Sequence, residues 1–204
     1  MPRKPQLSPH RCRKVKYGSK TELDPEYVTS KPLNDAGIRR FQTIVGALIC
    51  IGRAVNNNLY VALSAIVFQQ ASATEDTNKE IHQLLDYCAT HPDYGILYKS
   101  SDMILTGHSD AGFNNETRAR SRAGAHIFLS ENESIPRWNG PIITVYQIMK
   151  YFVSSAAEAE MTALFLTAKE RVPLHHTLTK MGWKQPPSPL HINYVQVEIV
   201  GFTP

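Results

Sequence analysis

Long apolar runs, paired cysteines and the common nucleotide or hydrolase signatures are all missing from this 204-residue sequence. Its longest unbroken apolar stretch runs from Ile44 to Gly52, well short of the roughly 20 residues that span a bilayer. The basic N-terminus, MPRKPQLSPHRCRK, has no apolar segment behind it and so does not read as a secretory signal. An intracellular protein, cytoplasmic or nuclear and without a membrane partner, is expected. Three cysteines, Cys12, Cys50 and Cys88, occur without a CxxC pair, a pattern of free thiols in a reducing compartment rather than of a disulfide frame or zinc knuckle. No P-loop, no GxGxxG after a strand, no HExxH and no GxSxG is present.

What is present is ordinary globular material, 42% hydrophobic and 20% charged, with an uneven charge. The net +4 comes from the first 20 residues, where Arg3, Lys4, Arg11, Arg13, Lys14, Lys16 and Lys20 meet no acid. The rest of the chain is mildly acidic. Such an arm suits a polyanion, because it releases counterions from phosphate without needing a fold. A solvated tail accounts for it equally well.

Periodicity divides the chain in three. Residues 1–33, punctuated by Pro2, Pro5, Pro9, Pro25 and Pro32, read as a basic disordered arm. Residues 34–92 carry helical spacing: a helix capped by Asn34-Asp35 with Ile38, Phe41, Ile44, Val45, Leu48 and Ile51 on one side, a second from Leu59 to about Ser72, and a third from Thr74 to about Thr90. Near Pro92 the period falls to two. GILYKSS, MILTGHSDAGF, SRAGAHIFLS and the first half of PIITVYQIMKYF read as strands. Ser154 or Ser155 then caps a helix that Pro173 ends or restarts as a second one, and LHINYVQVEIVGF reads as one final strand. The expected fold class is α/β, a meander followed by two helices, with a helical subdomain before it.

Carboxylates are the chemistry on offer. Asp110 ends an apolar strand among Gly107, Ala111 and Gly112, where backbone approaches a ligand closely; by itself it also reads as a turn residue. Glu158 and Glu160 open the helix, where the macrodipole favours acids in any case. A strand Asp followed by a helix Glu can converge on a hard divalent cation. The apolar stripe Ala157, Met161, Leu164, Ala168 and Val172 predicts the buried face of that helix, with Glu158 on one flank and Glu160 on the other, and does not choose between them. His108, His126, His175 and His176 are the alternative ligands, but adjacent His175 and His176 point to different faces. Arg118, Arg120 and Arg122 alternate, so they either share a face toward phosphate or line a solvated turn.

The strings GHSDAGFNNETRARSRAGAHIFLS and SSAAEAEMTALFLTAKERVPLHHTLTKMGW resemble the ribonuclease H domain of copia-type retrotransposon polyproteins. The segment before them, from LNDAGIRRF to SSDMIL, is similar to the stretch that joins reverse transcriptase to that domain, and the match runs from about Pro32 to Leu190. The resemblance implies an incomplete ribonuclease H-like domain over 93–204, Mg²⁺ as cofactor, an RNA–DNA hybrid or other nucleic acid as partner, and cleavage of the RNA strand. It puts Asp110 on the first metal-binding acid and Glu160, in Glu160-Met161-Thr162-Ala163, on the second. The third acid, an Asp in an Asp-Asn-Ser/Thr motif, falls in Leu190-His191-Ile192-Asn193-Tyr194, where Asn193 stands as a possible substitute. Adjacent polymerase aspartates are absent upstream. The expectation is a remnant of a longer polyprotein, inactive or nearly so, with a noncatalytic binding module on the same fold as the alternative.

Overall fold

The structure, a computed structural model, describes residues 4–10, 30–116, 120–133, 135–187, 189–192 and 195–198. The arm's Arg3, Arg11, Arg13, Lys14, Lys16 and Lys20 lie outside the described residues. The chain forms two compact units, Met1–Ile96 and Leu97–Pro204.

The first unit is helical. Helix α1, Asp35–Ala54, starts where Asn34 accepts the Gly37 amide at 2.8 Å and buries Phe41, Val45 and Leu48. The expected second helix is broken into α2, Tyr60–Val67, between 3₁₀ turns at Asn57–Leu59 and Gln70–Ser72. Helix α3, Glu75–Thr90, begins with a reciprocal cap between Thr74 and Thr77. Leu59, Leu63, Ile66, Ile81, Leu84 and Tyr87 complete one core with α1. Residues 4–10 are irregular but held: the Gln6 amide donates to Thr90 Oγ1, the Gln6 carbonyl meets His91 Nε2, and Gln83 Nε2 donates to the Ser8 carbonyl.

The second unit is a mixed α/β fold. Strands β1 (Ile104–Glu116), β2 (Arg120–Ser130) and β3 (Pro141–Ile148) form an antiparallel meander. Helix α4, Ala156–Lys180, then carries the chain to β4, Pro189–Ile192, which joins β1 in parallel, and β5, Val195–Glu198, folds back on β4. The sheet order is β3-β2-β1-β4-β5.

Four expectations are corrected here. Residues 97–101 are not a strand. Their backbone is held by a side chain, with Asn139 accepting the Lys99 amide at 2.7 Å and donating to the Lys99 carbonyl at 3.0 Å. Pro173 neither ends nor restarts a helix; α4 runs through it as one element. A proline inside a helix costs about 3 kcal/mol, and the packing of Leu174 and Leu178 beyond it against Leu105 and Ile127 works against that cost. The last segment is a hairpin of two strands instead of one. Finally, α4 buries Ala159, Ala163, Thr167, Arg171 and Leu178 rather than the expected stripe, leaving Met161 and Phe165 exposed.

Gly107 explains that choice of face. A Cβ there would lie 3.1 Å from Arg171 Cδ and 3.2 Å from Leu190 Cδ2. With Gly107 under Thr167 and Arg171, and Ala111 and Ala123 under Ala159 and Ala163, helix and sheet approach closely, and the Arg171 guanidinium donates to the Leu105 carbonyl at 2.7 Å. Burial pushes the Arg171 pKa down to about 10, still high enough to keep it charged at neutral pH.

Candidate carboxylate site

On β1, Leu105, Gly107 and Ala111 lie toward α4, each with packing partners on or beside it. Asp110 has the other parity and is exposed. Its Oδ1 nevertheless turns to the strand edge and accepts the Ala111 amide at 2.9 Å. That amide is also where the helix acid arrives.

Ser155 caps α4 and accepts the Glu158 amide at 3.1 Å. Glu158 Oε2 in turn accepts both the amide and the hydroxyl of Ser154 at 2.7 Å. These bonds hold its carboxyl below the usual glutamate range. Glu158 is therefore committed to the helix start. Two residues on, about 200° further around the helix, Glu160 turns toward the sheet. Partial burial and then the negative charge of Asp110 raise its pKa, against a smaller lowering by the Ala111 amide. Its Oε2 is buried without a hydrogen-bond partner. The two acids 50 positions apart thus meet around one backbone amide, and the choice the helical wheel left open falls on Glu160.

Two like charges, one partly buried with an orphaned oxygen, form a site that a proton or a cation relieves. The donor set is all oxygen, which fits a hard divalent ion. It is also small: among the described residues, no group of three or more His, Cys, Asp or Glu side chains is arranged to hold a metal. Asn193 lies outside the described residues, and its predecessor Ile192 pairs with Ser109 of β1. Ser109 is a feature the sequence reading missed. Its hydroxyl is buried without a partner beside Asp110, and its place in the SDA motif was the available signal.

The arginines divide. Arg118 lies outside the described residues, and Arg120 is half-buried near the β1–β2 turn. Arg122 is only 3% exposed, its guanidinium 4.4 Å from the centre of the Tyr146 ring. Stacking across the β2–β3 pair withdraws it from any phosphate.

On the sheet face away from α4, strand register assembles three imidazoles. His108 sits beside His126 on β2 and His191 on β4. Its ring lies 4.7 Å from His191 and 4.4 Å from Trp138, and burial followed by these imidazole neighbours lowers its pKa to about 4. His126 Nε2 is 3.1 Å from the Asn139 carbonyl. His175 and His176 cross at 88°.

Fold and site together define a two-unit protein whose α/β unit carries a two-carboxylate site. No family model matches the chain, and neither the curated proteins nor the solved structures contain a match to it. Among the described residues, no helix is long and apolar enough to cross a membrane.

Proposed function

We propose that residues 97–204 are a ribonuclease H-like module of copia-type retrotransposon origin, built for metal-dependent cleavage of RNA in RNA–DNA hybrids and now inactive or nearly so. The observation that carries this reading is the meeting of Asp110 and Glu160 at the Ala111 amide, with Glu160 Oε2 left unpartnered. These are the two acids that the SDA and Glu-hydrophobic-x-Ala motifs select. A helix that follows the meander and returns the chain to a strand parallel to β1 also supports it.

Asp110 and Glu160 are the residues that would hold Mg²⁺, and the ion when bound would supply the positive charge that activates water and stabilises a leaving phosphodiester oxygen. The protein's own contribution is to fix both carboxylates. The Ala111 amide orients Asp110, and the packing of Ala159 and Ala163 of α4 on Ala111 and Ala123 brings Glu160 down to it. Asn193 at the third acid position adds no negative charge, so two acids remain to carry the site. A noncatalytic nucleic-acid-binding module is the second reading, favoured by that neutral residue and by the basic arm.

Incubating the purified chain with a labelled RNA–DNA hybrid in Mg²⁺ tests both. The expected result is cleavage at background level with salt-sensitive binding retained. Robust Mg²⁺-dependent hydrolysis that Asp110→Asn abolishes would refute the inactive state. Absence of both cleavage and binding would remove nucleic acid as the partner.

A further inference from the structure

Helix α4 carries apolar residues on two sides, and the sheet takes only one. The other side is a ridge of Met161, Phe165 and Val172, exposed at 64%, 68% and 44%, flanked by half-buried Leu164 and Ala168. Isolated exposed apolar side chains are ordinary. A row at spacings of four and seven along three turns is a packing surface of the kind one helix presents to another.

From this ridge we infer that α4 pairs with α4 of a second copy of the chain, antiparallel, across a two-fold axis passing between residues 166 and 167. Three features select a second copy in that orientation. The ridge is self-complementary about this axis: Met161 meets Val172 of the other copy, and bulky Phe165 meets small Ala168, so large side chains fall opposite smaller ones at all four contacts. A two-fold interface requires this reciprocity. Charge is also distributed by end, with Glu158 in the first turn of α4 and Lys180 in the last. Antiparallel pairing sets acidic ends against basic ends and opposes the helix dipoles, whereas parallel pairing stacks like on like. Finally, the ridge leaves Glu160 free, because Glu160 lies on the sheet-facing flank with Asp110. The pairing stands independently of the ribonuclease H reading.

The size of the surface sets its strength. Six apolar side chains, at roughly 100 Å² each, bury about 600 Å², below the ~1,200 Å² of standard stable interfaces. The surface therefore fits a weak, reversible dimer rather than an obligate one.

Sedimentation velocity of the full chain between about 5 and 500 µM reads the equilibrium. A concentration-dependent monomer–dimer shift is expected, and Phe165→Glu should move it at least tenfold toward monomer while circular dichroism stays unchanged. Register is read by disulfide trapping in a background with Cys12 and Cys50 changed to Ser. Met161→Cys with Val172→Cys should yield a covalent dimer under mild oxidation. Met161→Cys alone should not, because the axis leaves the two copies of residue 161 about 16 Å apart, eleven residues at 1.5 Å each. A chain that stays monomeric throughout the range overturns the inference, as does a dimer indifferent to Phe165→Glu. Efficient trapping by Met161→Cys alone overturns the antiparallel register. Hybrid cleavage is a separate measurement, so failure here leaves the proposed function standing.

Discussion

Acidification should unfold the sheet unit from its imidazole face. His108 titrates at 6.5 when solvated and at about 4 in the fold. Its depressed value means that the native state favours the neutral ring. Above pH 6.5 neither state is protonated and His108 has no effect on stability. As pH falls from 6.5 toward 4 the unfolded chain takes up the proton first, and stability is lost across that window. At 1.36 kcal/mol per pH unit the full difference is ~3 kcal/mol; the ring is only partly buried, and solvent screening reduces this to about 1–2 kcal/mol. His126 and His191 are depressed chiefly by burial and act in the same direction. The groups facing His108 are His126, His191, Phe128 and Trp138, with the charge of Arg171 acting on His191.

The two tryptophans, Trp138 and Trp183, both lie in the sheet unit, so fluorescence-detected urea unfolding reports on that unit directly. Stability measured at intervals from pH 7.5 to 4.5 should fall, and His108→Phe, which keeps a stacking ring, should flatten the fall by about 1–2 kcal/mol. Parallel profiles for the two proteins would refute the reasoning and assign the acid sensitivity elsewhere.

Glu160→Gln removes a partly buried charge beside Asp110 and should leave the fold as stable or up to about 1 kcal/mol more stable at pH 7. It should also abolish any rise in melting temperature on replacing EDTA with Mg²⁺; a variant that keeps that rise places the cation elsewhere. Gly107→Ala brings a methyl to 3.1 Å from Arg171 and 3.2 Å from Leu190 and should cost about 1–3 kcal/mol in the same fluorescence assay, whereas an unchanged midpoint would mean that α4 does not approach as closely as argued. Changing Arg11, Arg13, Lys14, Lys16 and Lys20 to Gln should reduce the slope of log K against log salt for nucleic-acid binding by about 4, at 0.7–0.9 per charge. An unchanged slope in filter binding would exclude the arm from the contact.

The helical unit was legible because its signals are local. Asn34 and Thr74 cap helices where they stand, and the stripe through Phe41, Val45 and Leu48 has no rival on the far side of α1. Helix α4 was not legible in the same way. Its two apolar sides give periodicity no preference, and the decision rests on small sheet residues distant in sequence: Gly107 under Thr167 and Arg171, and Ala111 and Ala123 under Ala159 and Ala163. Close approach favoured the small residues Ala159 and Ala163, and the longer Met161 and Phe165 were left outside. Arg122 misled for a related reason: alternation gives the face of a strand correctly but not the Tyr146 ring waiting across it. His108, His126 and His191 are invisible as a group until register aligns three strands.

The acids Asp110 and Glu160 were legible through their motifs, while the physical state of the pair was not. Two carboxylates around one amide carry a charge of −2 when both are ionised, and the raised value of Glu160 shows that the site resists reaching it. One divalent cation cancels that charge, whereas two would leave +2 for other groups to balance. Neutral Asn193 supplies nothing toward it. The described site therefore suits a single hard cation or a shared proton better than a pair of ions. The packing of Thr167 and Arg171 of α4 over Gly107 does not depend on the charge at the helix's first turn, so the fold of the sheet unit requires no bound ion.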